Sequence, residues 1–180
     1  MNLVEEMKYR KIAIEMILRG ARVPVVKSMS PLDMSTLTKL YKDVTGTTSP
    51  TGPLPADPNW FASHTIPWRM LQASFYAGVY ESISSRSPDA VEAEVLVAAY
   101  DVYIRHCEQQ RREPAMNITR CWALMRLLKM SELELVECTC CHNRIIQHAF
   151  TLKSNFVCCL CDRSTSLKPK NWNKSDQKAA

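Results

Sequence analysis

Two Cys-x-x-Cys pairs, Cys138/Cys141 and Cys158/Cys161, stand sixteen residues apart in this 180-residue chain, and they limit its folding more than any other feature. Each pair forms a tight turn that aims two sulfurs at one point, and two such turns complete a tetrahedron. The gap falls within the roughly 15–20 residues typical of four-sulfur zinc sites. Four thiolates leave no vertex for water, so the expectation is one structural Zn²⁺ per chain, held by Cys138, Cys141, Cys158 and Cys161. Cys140 and Cys159 each neighbour a ligand, but neither forms a Cys-x-x-Cys with another cysteine, and they read as fillers or thiols beside the site. His142 and His148 find no open vertex. The intervening segment is β-branched and aromatic, which suits a two- or three-stranded ribbon too small to fold without its metal.

Six of the eight cysteines lie between residues 138 and 161. A secreted disulfide scaffold would spread them, so the cluster points to metal in a reducing cytoplasm. The first residues lack the basic and apolar regions of a signal peptide, and no run of about 18 apolar residues predicts a membrane span. Asn117-Ile118-Thr119 is then a chance glycosylation match. No Ser/His/Asp set, paired-carboxylate motif, phosphate loop or open metal position suggests an enzyme or a small-molecule substrate.

Glycine is scarce, at 4 residues, and the rest of the chain has helical periodicity. A helix is predicted over 3–19, with Tyr9, Ile12, Ala13 and Met16 as its stripe and Gly20 as a left-handed cap. A short helix over 22–29 follows. After Ser30-Pro31-Leu32-Asp33 comes a third helix to about Val44, with Leu37, Leu40, Tyr41 and Val44 on one face and Gly46 closing it. That outline is helix-turn-helix-like over about 20–45. Residues 47–58 carry four prolines and form an extended connection. Trp60-Phe61 is expected to dock that connection onto the core. Leu71, Phe75, Val79 and Ile83 mark a helix over 69–84. Pro88 is expected at the first helical position of a nearly all-apolar helix to about His106, whose excess apolar surface suits a partner subunit. Pro114 is expected to open the last helix, to about Met130. The fold class is therefore mainly α. Residues 1–135 would form a multi-helix domain, 136–162 a small zinc-ribbon-like module and 163–180 a basic tail.

Charge follows this division. Residues 1–42 carry eight Lys/Arg against four Asp/Glu, residues 43–161 ten against twelve, and residues 162–180 five against two. Basic ends on a mildly acidic middle suit an anionic polymer held at two places. Candidate phosphate contacts are Arg22, Lys27, Lys39 and Lys42 at one end. At the other they are Arg144, Lys153, Arg163, Lys168 and Lys170. Solubilising termini and a ribbon that touches only proteins remain the competing readings.

The ordered landmarks Gly20-Ala21-Arg22, Leu40-Tyr41-Lys42 with Gly46, Leu54-Pro55, Trp60-Phe61, Cys138-x-Cys140-Cys141 and Phe156-x-Cys158-x-Leu160-Cys161 span roughly residues 5–165. In these the chain resembles the FlhC family of bacterial flagellar transcriptional activators. The resemblance implies zinc on the same four cysteines and a hetero-oligomer of four FlhD with two FlhC subunits. It also implies binding to promoter DNA upstream of flagellar operons and recruitment of RNA polymerase. Cys159 departs from the family pattern, which commonly has a small polar residue there.

Overall fold

The computed structural model describes residues 2–150 and 155–162. Seven helices precede a two-stranded antiparallel ribbon. Helix α1 (Leu3–Leu18) starts on a capping box: the Asn2 side chain accepts from the Glu5 amide, and Glu5 accepts from the Asn2 amide. It ends at Gly20, φ 84°, where the Gly20 and Ala21 amides bond back to the Ile17 and Met16 carbonyls. This paired closure needs the left-handed residue that glycine supplies. Helix α2 (Val23–Ser28) is short, and Ser30 to Asp33 turn the chain into α3 (Met34–Thr45). Asp33 caps α3 through the Thr36 amide at 2.8 Å, and Gly46, φ 72°, closes it. These three helices pack on one another, with Leu37, Tyr41, Val25 and Val26 buried between them. The N-terminal expectation is met.

The connection after Gly46 leads into the single turn α4 (Asn59–Ala62). Phe61 there is fully buried. Helix α5 (Pro67–Arg86) is the longest element and contacts α4, α6 and α7 as well as the ribbon. Its buried stripe is Met70, Ala73, Ser74, Tyr76, Ala77 and Tyr80. The expected stripe of Leu71, Phe75, Val79 and Ile83 is only half-buried at the margin. Both faces of α5 are covered to some extent, so apolar periodicity alone chose the wrong centre.

Two proline readings also change. Helix α6 (Glu92–Gln109) begins four residues after Pro88, which lies in a turn closed by the Ala90 amide on the Ser87 carbonyl. Glu94 reaches back to the Val91 amide at 3.1 Å and so marks the true start. Helix α7 (Ile118–Lys129) begins after Pro114, where Asn117 accepts from the Arg120 amide at 2.9 Å. The Asn of the sequon-like triplet is thus a helix cap. The loop between α6 and α7 is fixed from below by polar side chains. Gln72 accepts from the Ala115 amide and from Tyr103, and donates to the Glu113 carbonyl; the Met116 amide donates to the Tyr103 oxygen.

Strands β1 (Leu133–Glu137) and β2 (Arg144–His148) pair from Leu133 with His148 to Glu137 with Arg144. The ribbon therefore starts ahead of residue 136, and its first strand precedes the cysteines. It is docked on α5: the Ile146 amide donates to Ser74 Oγ at 2.9 Å, and Leu133 and Ile146 enter the main core. Among the described residues, no helix is long and apolar enough to cross a membrane.

Candidate metal centre and basic surfaces

The hairpin turn between β1 and β2 carries Cys138 and Cys141, and a second turn carries Cys158 and Cys161. In the first turn the Cys138 amide donates to the Asn143 carbonyl and the His142 amide to the Cys138 carbonyl. His142 takes φ 59°, in the left-handed region. In the second turn the Cys161 and Asp162 amides both donate to the Cys158 carbonyl. The turns are tied together by Thr139, whose amide and hydroxyl both donate to the Phe156 carbonyl.

These turns bring the four sulfurs within 4.8 Å of one another. The Cys141 and Cys158 sulfurs are 3.8 Å apart. The sulfur–sulfur edge of a tetrahedron with metal–sulfur bonds of about 2.3 Å is also about 3.8 Å, so the four residues could hold a metal ion. Turn amides already favour the charged form at one vertex: the Cys158 N–H, 3.3 Å from Cys138 Sγ, leads the effects that bring that thiol down to about 6. Cys161 is pushed up instead by hydrogen bonding with the Cys141 and Cys158 thiols. Cys138 and Cys158 are fully buried, and Cys141 and Cys161 are partly exposed.

The two further cysteines part company. Cys159 is buried and packs with Met70, Ile145, Cys138 and Cys158; Cys140 is exposed. Neither belongs to the four-sulfur group. His142 lies outside as well, its Nδ1 2.8 Å from Glu137 Oε1.

The candidate phosphate contacts divide by what else they do. Lys39 and Lys42 are exposed on α3, beside exposed Ser35 and Thr38. Arg22 donates to the carbonyls of Pro50, Gly52 and Pro53 and so holds the proline-rich connection against the start of α2. Lys27 donates to the Leu32 carbonyl at 2.9 Å across the α2–α3 turn. Arg144 pairs with Glu81 on α5. Lys153, Arg163, Lys168, Lys170 and the basic tail lie outside the described residues.

One basic cluster has no counterpart among those candidates. Arg69 on α5 and Arg120 on α7 both lie over the Trp60 ring, with guanidinium carbons 4.9 and 4.1 Å from its centroid. Residues 60, 69 and 120 belong to three separate elements, and no linear pattern joins them.

The family profile described as "Flagellar transcriptional activator (FlhC)" matches residues 1–173. The chain belongs to this family of transcriptional activators. Among its relatives is the flagellar transcriptional regulator FlhC of Proteus mirabilis, 34% identical over 162 residues, covering 89% of this chain and 81% of that protein. The FlhC of Serratia marcescens is 33% identical with the same coverage. That of Cupriavidus metallidurans is 30% identical, covering 89% and 73% of the two chains.

Proposed function

We propose that this chain is the DNA-contacting, zinc-stapled subunit of a cytoplasmic activator of flagellar operons, paired with FlhD. The reading is carried by one observation: α3 is a capped helix with an apolar inner face and an exposed face of Ser35, Thr38, Lys39 and Lys42. It follows a short helix and a tight turn, as the second helix of a helix-turn-helix does. Leu37 and Tyr41 fix the helix to the body, which leaves the outer face free to enter a groove. Zinc on Cys138, Cys141, Cys158 and Cys161 would act only as a staple. Structural four-thiolate sites supply folding energy and no reaction. The family assignment favours regulation over catalysis, and the proposal extends it to FlhD in a four-to-two assembly and to contact with RNA polymerase. The half-buried side chains of α6, Val97, Tyr100 and Ile104 among them, suit burial by such a partner.

A second reading draws on the intramolecular bonds of Arg22, Lys27 and Arg144: the chain touches only proteins, and its partner reads DNA. Crosslinking of this subunit to promoter DNA within the complex separates the two. Charge reversal at Lys39 and Lys42 is expected to weaken promoter binding and to make its salt dependence shallower. Unchanged affinity and no crosslink would establish the second reading.

A further inference from the structure

Arg69 and Arg120 make an arrangement at odds with helix electrostatics. Each is the third residue of its helix, Arg69 in α5 and Arg120 in α7. That is where unsatisfied amides place partial positive charge, and where a cation is disfavoured. Neither first turn carries an acidic residue, and α5 has no side-chain cap. The two guanidiniums share one indole, although like charges repel. Among the described residues, neither has a carboxylate at ion-pair distance. Arg69 Nε is covered and makes no hydrogen bond. Burial first, and the Arg69 charge second, push Arg120 below its ordinary value. Arg19, also held between elements in the helical body, is treated in the opposite way: it bonds Glu15 and Asp101 at once.

Local rules broken together, with no carboxylate among the described residues to offset the two charges, mark a site whose counter-charge comes from outside. Trp60 holds both guanidiniums at cation–π distance and accepts none of their hydrogen bonds in doing so. Two such forks at the starts of two helices suit an oxyanion, and helix starts favour phosphate for the same electrostatic reason. We infer that Arg69 and Arg120, seated on Trp60, form a clamp for one backbone phosphate of double-stranded DNA. This rests on the DNA-contacting reading above and adds to it a second anchor, built on α4, α5 and α7, apart from the α3 surface. A phosphate contact positions the protein on the duplex and carries no sequence information.

The test is duplex binding by the full chain, alone and with its proposed partner subunit, to a random-sequence duplex across a salt series. Arg69→Gln and Arg120→Gln are each expected to weaken binding by about tenfold at low salt, since a charge-assisted hydrogen bond contributes about that factor. The double variant should lose about 1 from the slope of log affinity against log salt. Arg86→Gln, which removes one exposed charge at the far end of α5, should leave both unchanged. The melting temperature of the arginine variants should hold or rise, because repulsion and desolvation are relieved. Wild-type binding matched in affinity and slope by the double variant would overturn the clamp while leaving the DNA reading intact. So would equal losses in Arg86→Gln, or a fall in melting temperature with binding intact, which would make the pair structural. Unchanged duplex binding with lost association of the partner subunit would overturn it in favour of a protein carboxylate. A wild-type chain that binds no duplex, alone or with the partner, would overturn the DNA reading and the clamp together.

Discussion

The helical body and the cysteine turns meet on one helix, yet they are held together by different means. From Ala73 to Tyr80, α5 buries Tyr76, Ala77 and their neighbours against α6 and α7 in a continuous apolar core. One turn earlier, Met70 faces a small separate cluster of Cys138, Ile145, Cys158 and Cys159. The body draws on apolar area, at roughly 25 cal/mol per Å². The cysteine turns have too little such area, and their geometry is set by four sulfurs and a few turn amides. The ribbon between them belongs to both: Ile146 and Leu133 lie in the main core, whereas Ile145, one residue along and on the other face, lies in the small cluster. The lesson is that the cysteine turns close the ends of the ribbon, whereas apolar packing sets its seat on the body.

The comparison breaks most visibly in the body. Phe61→Ala empties a fully buried aromatic site and should cost about 3–5 kcal/mol, read from urea denaturation. Metal content should be unchanged. Metal loss at the same time would show that body and cysteine turns form one cooperative unit.

Cys138→Ser should abolish stoichiometric metal binding, as measured by elemental analysis, and loosen the turns. Cys140→Ser should retain the metal, because Cys140 is exposed and outside the four-sulfur group. Retention in Cys138→Ser with loss in Cys140→Ser would reverse the ligand assignment.

These centres differed in how far the sequence disclosed them. The grouping of the four cysteines is legible because Cys-x-x-Cys spacing maps directly onto turn geometry. The ends of the first and third helices are legible because Gly20 and Gly46 act locally, within a few residues of the ends they fix. The starts of α6 and α7 were misplaced because Pro88 and Pro114 fit a first helical position as well as they fit a turn. Glu94 and Asn117 settled the matter through hydrogen bonds that spacing alone does not rank. Strand β1 was absorbed into the helical domain, since Leu133–Glu137 gains its strand character from pairing with β2. The Trp60 cluster was not legible at all, because its three residues meet only in the fold.

Within the body, Tyr103→Phe should cost about 1–3 kcal/mol. It strands the buried Met116 amide and removes a donor from Gln72. Amide exchange in the α6–α7 loop should quicken. An unchanged melting temperature would mean that the loop is held by packing and not by this network.

The smallest effect belongs to Asp33, fully exposed at the start of α3. Hydroxyls of Ser35 and Thr36, followed by the Thr36 amide, hold its carboxyl well below the usual carboxylate range. A carboxyl lowered in the folded state stabilises that state above its unfolded pKa of about 4, and the benefit is lost as pH falls through the folded value. The melting-temperature gap between wild type and Asp33→Ala should therefore be constant near neutrality and narrow below about pH 4. A gap that widened on acidification would contradict this cap.

Hydrogen exchange of the zinc-loaded chain, before and after removal of the ion by a chelator, tests the contrast most directly. The account predicts lost protection in Cys138–Asn143 and Phe156–Asp162, with protection retained in α5, α6 and α7. Protection lost throughout the helices, or unchanged in the cysteine turns, would contradict it.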